Sequence, residues 1–287
     1  MGLTIKELVP IGERILKQNG VDNAGHDAEA LLGFEIGFDK QKMFMNWTYE
    51  VEDERSESYF DLINRRAAGE PLQYITGEQY FFGHRFCVNP YVLIPRPETE
   101  ALAEKAVQHL QALGGAKSVL DLCTGSGALA VSIAKACPRV KLTASDLFEQ
   151  ALSVAKHNAH ELGVSSRIDF IKSDLFASVK RGTFGKKFDL IVTNPPYIRT
   201  GSLMGLQREI RDHEPMFALD GGIDGLDFYR RIAEDARAYM RPDACIMAEI
   251  GFDQAEEVAG IFEAAGFKDI EVFRDLAGLD RIVKALS

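Results

Sequence analysis

Apolar residues recur along this chain with two different periods, and the change of period divides it into two regions. In the first region the spacing is helical, with apolar positions three or four residues apart over residues 3–18, 27–38 and about 52–68. Thr4 and Glu7 have the spacing of a capping box at the start of the first segment. A helical N-terminal region is therefore predicted.

A short aromatic-rich segment separates the two regions. Residues 79–88 have Gly83-His84 near their centre, which predicts a β-hairpin turning at that point. The predicted domain organisation follows from this segment: a helical domain over residues 1–77, the hairpin and a linker over 78–100, and a larger domain over 101–287.

From Ser118 onward, short apolar strands alternate with helical segments. Strands are predicted at residues 118–123, 140–145, 167–172, 188–193, 244–250, 268–273 and 280–286. This alternation predicts an α/β fold, with a parallel sheet, right-handed crossovers and helices on both faces. Too few residues join the last two strands for a crossover, so one of them is expected to run antiparallel.

Composition narrows the class of protein. The chain has 287 residues, 46% of them hydrophobic, which is enough for a sizeable core and argues against disorder. No apolar run reaches the length of a membrane span, and charged residues interrupt the first twenty positions, so a soluble cytoplasmic protein without a targeting segment is expected. The four cysteines are far apart, so neither disulfides nor a metal site is predicted.

The net charge of the chain indicates which kind of macromolecule it can bind. The chain carries 33 basic and 43 acidic residues, a net charge of −10, and residues 1–80 hold 8 and 15 of these, a net of −7. Duplex DNA binding draws most of its affinity from cationic residues, so direct nucleic-acid binding is not expected. The acidic surface is interpreted either as solubilising or as a docking face for a protein.

Asn194-Pro195-Pro196-Tyr197 directly follows the predicted strand at 188–193. Open α/β sheets bind their ligands at this end of the strands. The two prolines remove backbone donors and fix φ, so the loop is stiff and presents an amide, carbonyl groups and an aromatic ring. Such a set of groups predicts a site that holds a planar NH2 group.

A second chemical site lies between the first strand of this region and the helix after it. Asp121 precedes a turn containing Gly125 and Gly127, and Asp146 ends the next strand, 19 residues after Gly127, where it can accept hydrogen bonds from ribose hydroxyls. The glycine turn alone fits a nicotinamide dinucleotide as well. Asp121 favours S-adenosylmethionine, because a carboxylate repels a pyrophosphate and attracts an ammonium group.

These two segments together resemble the class I S-adenosylmethionine-dependent methyltransferases that alkylate amide or exocyclic amino nitrogens. Three further stretches, at residues 71–77, 93–100 and 214–230, are similar to the HemK/PrmC family, which methylates the glutamine of the Gly-Gly-Gln loop in peptide-chain release factors. The resemblance covers nearly the whole chain. It implies a Rossmann-like sheet with a small helical N-terminal domain and a connecting hairpin.

The resemblance also implies roles for particular residues. The expected cofactor-binding residues, for S-adenosylmethionine and its product S-adenosylhomocysteine, are Asp121, Cys123, Thr124, Gly125, Ser126, Gly127, Asp146, Leu175 and Asn194. The expected substrate-binding residues are Asn194, Pro195, Pro196 and Tyr197, of which Asn194, Pro195 and Tyr197 are the expected catalytic residues. The implied partner is a release factor docked on the N-terminal domain of a monomer. The alternatives are a DNA adenine-N6 or other amino-methyltransferase, and an inactive binding module.

Three features stay open at this stage. Cys123 stands where the family usually has glycine. A cysteine is tolerable there if its φ is negative, but it lets the backbone approach the cofactor less closely, which puts cofactor affinity in doubt and not the assignment. Arg96, Glu98 and Thr99 either line the mouth of the active site or simply begin a helix. The loop at 220–225 is interpreted as a glycine-rich loop shaping the substrate side, with calcium binding as the alternative.

Overall fold

The computed structural model describes residues 2–179 and 187–287, which form two compact units. The N-terminal unit comprises the residues up to Glu78 together with Gln207–His213. The sheet unit comprises Gln79–Leu206 and Glu214–Ser287.

The described residues of the N-terminal unit are mainly helical, with one isolated antiparallel bridge between Thr4 and Glu50. Its helices are α1 Ile5–Gln18, α2 Ala24–Ile36, α3 Lys40–Met45, α4 Asp53–Ala67, α5 Leu72–Thr76 and, later in the chain, α9 Arg208–His213. The carboxylate of Glu7 accepts a hydrogen bond from the backbone N–H of Thr4 (2.9 Å), as the predicted capping box requires. The sequence did not predict α3 and α5, because helices of five or six residues are too short to show a period.

A buried arginine ties distant segments of the N-terminal unit together. Arg66 on α4 donates to Asp27 on α2 (2.7 Å) and to Glu209 on α9 (2.6 Å). Arg66 and Asp27 are almost fully buried, so each needs the other as a charge partner. Residues 207–213 thus belong to this unit although they lie between two segments of the sheet unit in sequence.

The sheet unit contains a hairpin and a seven-stranded sheet. The strands are β1 Glu78–Phe81 and β2 His84–Cys87 of the hairpin, then β3 Ser118–Leu122, β4 Lys141–Asp146, β5 Ile168–Lys172, β6 Phe188–Thr193, β7 Met240–Glu249, β8 Lys268–Arg274 and β9 Asp280–Leu286. The sheet order is β5-β4-β3-β6-β7-β9-β8. The prediction that one of the last two strands runs antiparallel is confirmed, and that strand is β9.

Helices cover both faces of the sheet. They are α6 Pro97–Leu113, α7 Ala128–Ala136, α8 Glu149–Glu161, α10 Asp227–Tyr239 and α11 Ala255–Ala264. Neighbouring residues of β6 enter different cores: Leu190 packs with the cluster around α6 and α7, and Ile191 with the cluster around α10 and α11. A strand buried on both faces is nearly continuously apolar, which is why the sequence located β6 at its observed bounds.

Some predicted bounds differ from the structure. The hairpin turns at Phe82-Gly83, one residue earlier than predicted, and both residues have positive φ (48° and 74°), as a two-residue hairpin turn requires. Strand β7 begins at Met240 and not at 244. Helix α6 starts with Pro97 at its first turn, inside the stretch that the sequence presented as a linker.

The strand order places a ligand-binding crevice. From β3 the chain proceeds through β4 and β5 to one side of the sheet, and then returns to place β6 and β7 on the other side. Ligands of open α/β sheets bind outside the carboxyl ends of the strands at such a reversal. Both segments that the sequence predicted for the site follow strands at this edge.

Candidate active site

A cavity at the carboxyl edge of the sheet contains most of the predicted site residues. Its lining includes Cys123, Thr124, Gly125, Ser126, Asp146, Leu175, Asn194 and Pro196. The other predicted residues are absent from the lining in the described part of the chain; they are Asp121, Gly127, Pro195 and Tyr197. The structure therefore brings the glycine turn and the Asn-Pro-Pro-Tyr loop to one cavity.

Asp146 fixes the loops after β3 and β4 to each other. Its carboxylate accepts hydrogen bonds from the backbone N–H groups of Gly125 (2.9 Å) and Phe148 (3.0 Å). Burial raises the pKa of Asp146, and the backbone donors oppose that change. A carboxylate offers about four lone-pair positions, so Asp146 retains acceptor capacity for a ligand in the cavity that it lines.

Asp121 lies beneath the glycine turn and is fully buried. Its Oδ2 accepts hydrogen bonds from the Thr124 hydroxyl (2.6 Å) and the backbone N–H of Ala130 (3.2 Å), while Oδ1 has no partner among the described residues. Burial raises the pKa of Asp121 to about 7. Asp121 thus holds the turn, and a direct contact with a ligand ammonium group stays a prediction.

Cys123 does not have the negative φ at which a cysteine would be tolerable in this turn. Its φ is +59°, in the left-handed region where a residue with a Cβ is disfavoured by about 1–2 kcal/mol. Burial also raises the pKa of its thiol well above the ordinary value, which keeps the thiol neutral. Leu175, the expected adenine contact, lines the same cavity and likewise has a positive φ of 45°. Strained residues of this kind cluster at ligand sites.

Replacing Cys123 by glycine is expected to stabilise the protein by about 1 kcal/mol, because glycine adopts positive φ without the Cβ penalty. Urea unfolding measures the change, and Cys123→Ala is the matched control, since it removes the thiol but keeps the strained Cβ. Equal stability of the two variants would show that the thiol, and not the backbone, decides the effect.

The Asn-Pro-Pro-Tyr loop presents one polar side chain to the cavity. Asn194 lines it, and its Nδ2 donates to the Thr99 hydroxyl (3.2 Å), so that Oδ1 remains as an acceptor. Pro195 and Pro196 are buried. Tyr197 is half-buried, and its hydroxyl donates to the carboxylate of Glu249 (3.4 Å). Burial raises the pKa of Tyr197, with Glu249 as a further cause.

The loop at 220–225 packs directly behind this segment. Backbone hydrogen bonds join Ile198 N–H to Leu219 O (2.9 Å) and Gly221 N–H to Ile198 O (2.8 Å). A Cβ on Gly221 would lie 2.7 Å from the Cα of Tyr197 and 2.8 Å from the carbonyl oxygen of Pro196. The glycine therefore allows the two backbones to touch, which supports the interpretation of this loop as a shaping element.

Replacing Gly221 by alanine is expected to lower kcat by about 10- to 100-fold, because the added methyl group displaces the loop that carries Asn194 by a fraction of an ångström or more. Steady-state kinetics measure the loss. Gly201→Ala is the matched control, since a Cβ there meets nothing within 4 Å. Normal kcat in Gly221→Ala would contradict the role assigned to this close contact.

Sequence reasoning missed an aromatic pair on the cavity wall. Phe148 follows β4, and Phe217 comes from a short 3-10 helix at Met216–Ala218; their ring centroids are 3.8 Å apart and both rings line the cavity. The spacing after Asp146 could have pointed to Phe148, but nothing in the sequence links it to Phe217. Arg96, which caps α6, and Thr99 in its first turn line the cavity, whereas Glu98 begins the helix and is absent from the lining.

Glu249 was also missed, although the sequence held a signal for it. Strands β6 and β7 pair Thr193 with Ala248, so the residues that follow, Asn194 and Glu249, lie beside each other at the carboxyl edge. Glu249 is only 1% exposed, and burial raises its pKa to about 7. A carboxylate directly after the apolar run at residues 244–248 is that signal.

Known proteins share this architecture. A methyltransferase from Pyrococcus furiosus superposes with a TM-score of 0.53 over 80% of this chain and 97% of that chain at 15% identity, and the methyltransferase domain of METTL16 with 0.52 over 72% and 89% at 18% identity. Residues 99–211 match the family model of the methyltransferase small domain. The sheet unit therefore has the fold of class I methyltransferases.

Relatives over the full length give the family. Residues 7–77 match the family model of the PrmC N-terminal domain. A release factor glutamine methyltransferase from Clostridium acetobutylicum is 39% identical, covering 99% of both chains, and one from Geobacter sulfurreducens is 40% identical over 98% of this chain and 95% of its own. The chain belongs to the release factor glutamine methyltransferase family.

Proposed function

We propose that this protein transfers a methyl group from S-adenosylmethionine to the side-chain amide nitrogen of the glutamine in the Gly-Gly-Gln loop of peptide-chain release factors. One observation carries the proposal: Asn194, with its amide oxygen left as an acceptor, lines the same cavity as the glycine turn and Asp146. The same cavity thus contains a hydrogen-bond acceptor for an amide NH2 group and the residues expected to bind a nucleoside.

The residues present fit S-adenosylmethionine. We assign Asp146 as the acceptor of the ribose hydroxyls, because it lines the cavity, and Leu175 with the Phe148–Phe217 pair as an apolar wall suited to the adenine ring. The unpartnered Oδ1 of Asp121 beneath the turn suits the ligand ammonium group, directly or through a water molecule. When bound, S-adenosylmethionine supplies a methyl group made electrophilic by the sulfonium.

The Asn-Pro-Pro-Tyr loop orients the substrate amide nitrogen, which is a weak nucleophile. An amide nitrogen shares its lone pair with its carbonyl group, so it must be oriented and desolvated before it reacts. We assign the Asn194 Oδ1 and the Pro195 carbonyl as acceptors of its two N–H bonds, and Tyr197 as a flanking group at the substrate side. Orientation and preorganised dipoles then supply most of the acceleration.

The site needs no dedicated base. The nitrogen becomes very acidic once it is alkylated, so its proton passes to water. Pro195 and Pro196 lack backbone N–H groups, so they cannot donate to the acceptors that hold the substrate. The loop can therefore accept hydrogen bonds from an NH2 group without competition from its own backbone.

The decisive experiment uses labelled S-adenosylmethionine with a purified release factor, the same release factor with its loop glutamine replaced by alanine, and duplex DNA. Label is expected on the first protein alone, and peptide mapping should place it on the glutamine. Label on DNA with none on the glutamine would overturn the proposal in favour of a DNA amino-methyltransferase.

Docking of the release factor on the helical domain of residues 1–77 is part of the proposal. The net charge of −7 over residues 1–80 supports it, because a docking face can use charge complementarity to steer its partner. None of the helices in the described residues is long and apolar enough to cross a membrane. A monomeric state and a cytoplasmic location stay predictions.

A further inference from the structure

We infer that Gln254 is a positioning residue whose side-chain amide joins the Asn-Pro-Pro-Tyr loop to the loop at 220–225 and so fixes the position of the groups that hold the substrate amide. The inference rests on the proposed function, because it concerns the loop assigned to orient the glutamine nitrogen. Gln254 comes directly before α11 and lies far from that loop in sequence.

The Gln254 amide bonds backbone groups of three separate segments. Its Nε2 donates to the carbonyl oxygens of Tyr197 (3.0 Å) and Gly225 (3.3 Å), and its Oε1 accepts from the N–H of Gly251 (2.9 Å). The residue is only 2% exposed, so water does not compete for these bonds. One side chain thus joins the catalytic loop, the glycine-rich loop and the turn after β7.

The orientation of this amide follows from the chemistry of its partners. A backbone N–H only donates and a backbone carbonyl only accepts, so Oε1 must face Gly251 while the NH2 group faces Tyr197 and Gly225. A glutamate of the same size would set an oxygen against two carbonyl oxygens, and a methionine would offer no donor at all. The position therefore requires an amide of this length.

The Asn-Pro-Pro-Tyr loop depends on a link of this kind. Its two prolines have no N–H, so that stretch cannot be anchored through its own backbone donors. The bond from Gln254 holds the loop immediately after the prolines, at the Tyr197 carbonyl. The ion pair between Arg199 and Asp253 (2.6 Å) joins the same two segments, but it is exposed, and such pairs contribute little. The buried amide is thus the stronger link.

Close packing leaves the Gln254 amide little room to move. A Cβ on Gly225 would lie 2.4 Å from the Tyr197 carbonyl oxygen and 2.6 Å from Nε2 of Gln254. A Cβ on Gly251 would lie 2.8 Å from Oε1 of Gln254. Glycine at both positions therefore allows the backbone to meet the amide at hydrogen-bonding distance. A small displacement of the amide would displace both loops with it.

Gln254 occupies a position where the helix itself favours other residues. It is the N-cap residue of α11, where Ser, Thr, Asp and Asn are preferred because their side chains accept hydrogen bonds from the first N–H groups of the helix. Within the described residues its side chain makes no such capping bond. Proteins depart from a local preference of this kind mainly at functional sites. The side chain serves the two loops and not the helix.

Gln254→Met tests the link, because it keeps the length of the side chain and removes the amide. With a release factor as substrate, kcat is expected to fall about 10- to 100-fold, since the loop that carries Asn194 moves by a fraction of an ångström or more. The KM for the release factor and the Kd for S-adenosylmethionine should each change less than about threefold. Gln111→Met, on an exposed face of α6, is the matched control and should keep kcat within about twofold.

The pH dependence of Gln254→Glu reports on the hydrogen-bond donor itself. The ionised carboxylate cannot donate to either carbonyl, whereas the protonated acid can donate to one of them. The ratio of its kcat to that of the wild type is therefore expected to rise at least about threefold between about pH 8 and about pH 6, because burial favours the protonated acid. The same ratio for Gln254→Met should stay constant.

Two further variants separate positioning from simple structural support. Val258→Ala removes a fully buried contact of α11, so it should lower Tm while kcat stays within about twofold of the wild type. In an Asn194→Ala background, Gln254→Met should lower kcat by less than about threefold more, because the group that it positions is already gone. A merely structural role would give the full loss in both backgrounds.

Each variant is assayed at a temperature at which circular dichroism shows it to be folded. Wild-type kcat in Gln254→Met, a constant pH ratio in Gln254→Glu, or the full loss in the Asn194→Ala background would overturn the inference. If Gln254→Met does not fold, the pH ratio of Gln254→Glu decides. A wild type that leaves the glutamine unmethylated would instead overturn the proposed function.

Discussion

Replacing Asn194 by alanine is expected to lower kcat by about 10²–10³-fold or more while leaving the Kd for S-adenosylmethionine within a few-fold of the wild type. The magnitude is that of removing one preorganised hydrogen-bonding group at a reacting centre. Asn194 lines the cavity through the loop, whereas the expected nucleoside contacts come from the turn after β3 and from Asp146. Single-turnover kinetics together with calorimetric titration separate the two effects.

The matched control for this variant is Asn64→Ala, which makes the same chemical change on an exposed face of α4. Its kcat should stay within about twofold, as is usual for surface substitutions. If Asn194→Ala retains near-normal kcat, Asn194 does not hold the substrate. If the variant instead loses S-adenosylmethionine binding with an unchanged kcat at saturation, its role lies with the cofactor.

Exchanging the loop glutamine of a release factor for glutamate is expected to abolish methylation, with a loss of about 10⁴–10⁵-fold in kcat/KM. A carboxylate brings oxygens against the Asn194 Oδ1 and the Pro195 carbonyl with no proton between them. The two carboxylate oxygens then face two hydrogen-bond acceptors. No hydrogen bond forms to offset the free energy that removing these groups from water costs. The comparison uses the same release factor with glutamine or glutamate at one position.

Methyl transfer is measured by mass spectrometry over matched times, and binding of the two release factors is compared separately. Similar binding with a lost rate places the discrimination at the amide site and not at the docking face. Methylation of the glutamate form within about tenfold of the glutamine form would show that the loop does not read the NH2 group. In that case the assignment of two acceptors is wrong.

The same carboxylates that organise the site also weaken the fold. Asp121 and Glu249 are both buried, each has one oxygen without a partner among the described residues, and burial raises the pKa of each to about 7. Since the folded state binds their protons more tightly, both contribute to a loss of stability as pH rises toward 7. Buried and incompletely paired carboxyl groups at a binding site thus lower the stability of the folded state.

Local sequence determined much of this protein. The period of apolar residues located the strands of the sheet, because strands buried on both faces must be continuously apolar, and the short final connection predicted an antiparallel strand. The glycine turn and the Asn-Pro-Pro-Tyr loop were recognised because each follows a strand, where ligands bind. Their chemistry depends on residues adjacent in sequence, so one stretch of chain is enough to express it.

Only the tertiary structure decided what surrounds those segments. Glu249 lies beside Asn194 because β6 and β7 pair in one register, and Thr99 contacts Asn194 from the start of α6. The tertiary structure also placed Asp121 beneath the glycine turn and gave Cys123 a positive φ. Pairing register, burial and backbone strain are set by contacts between residues far apart in sequence, so no local pattern records them.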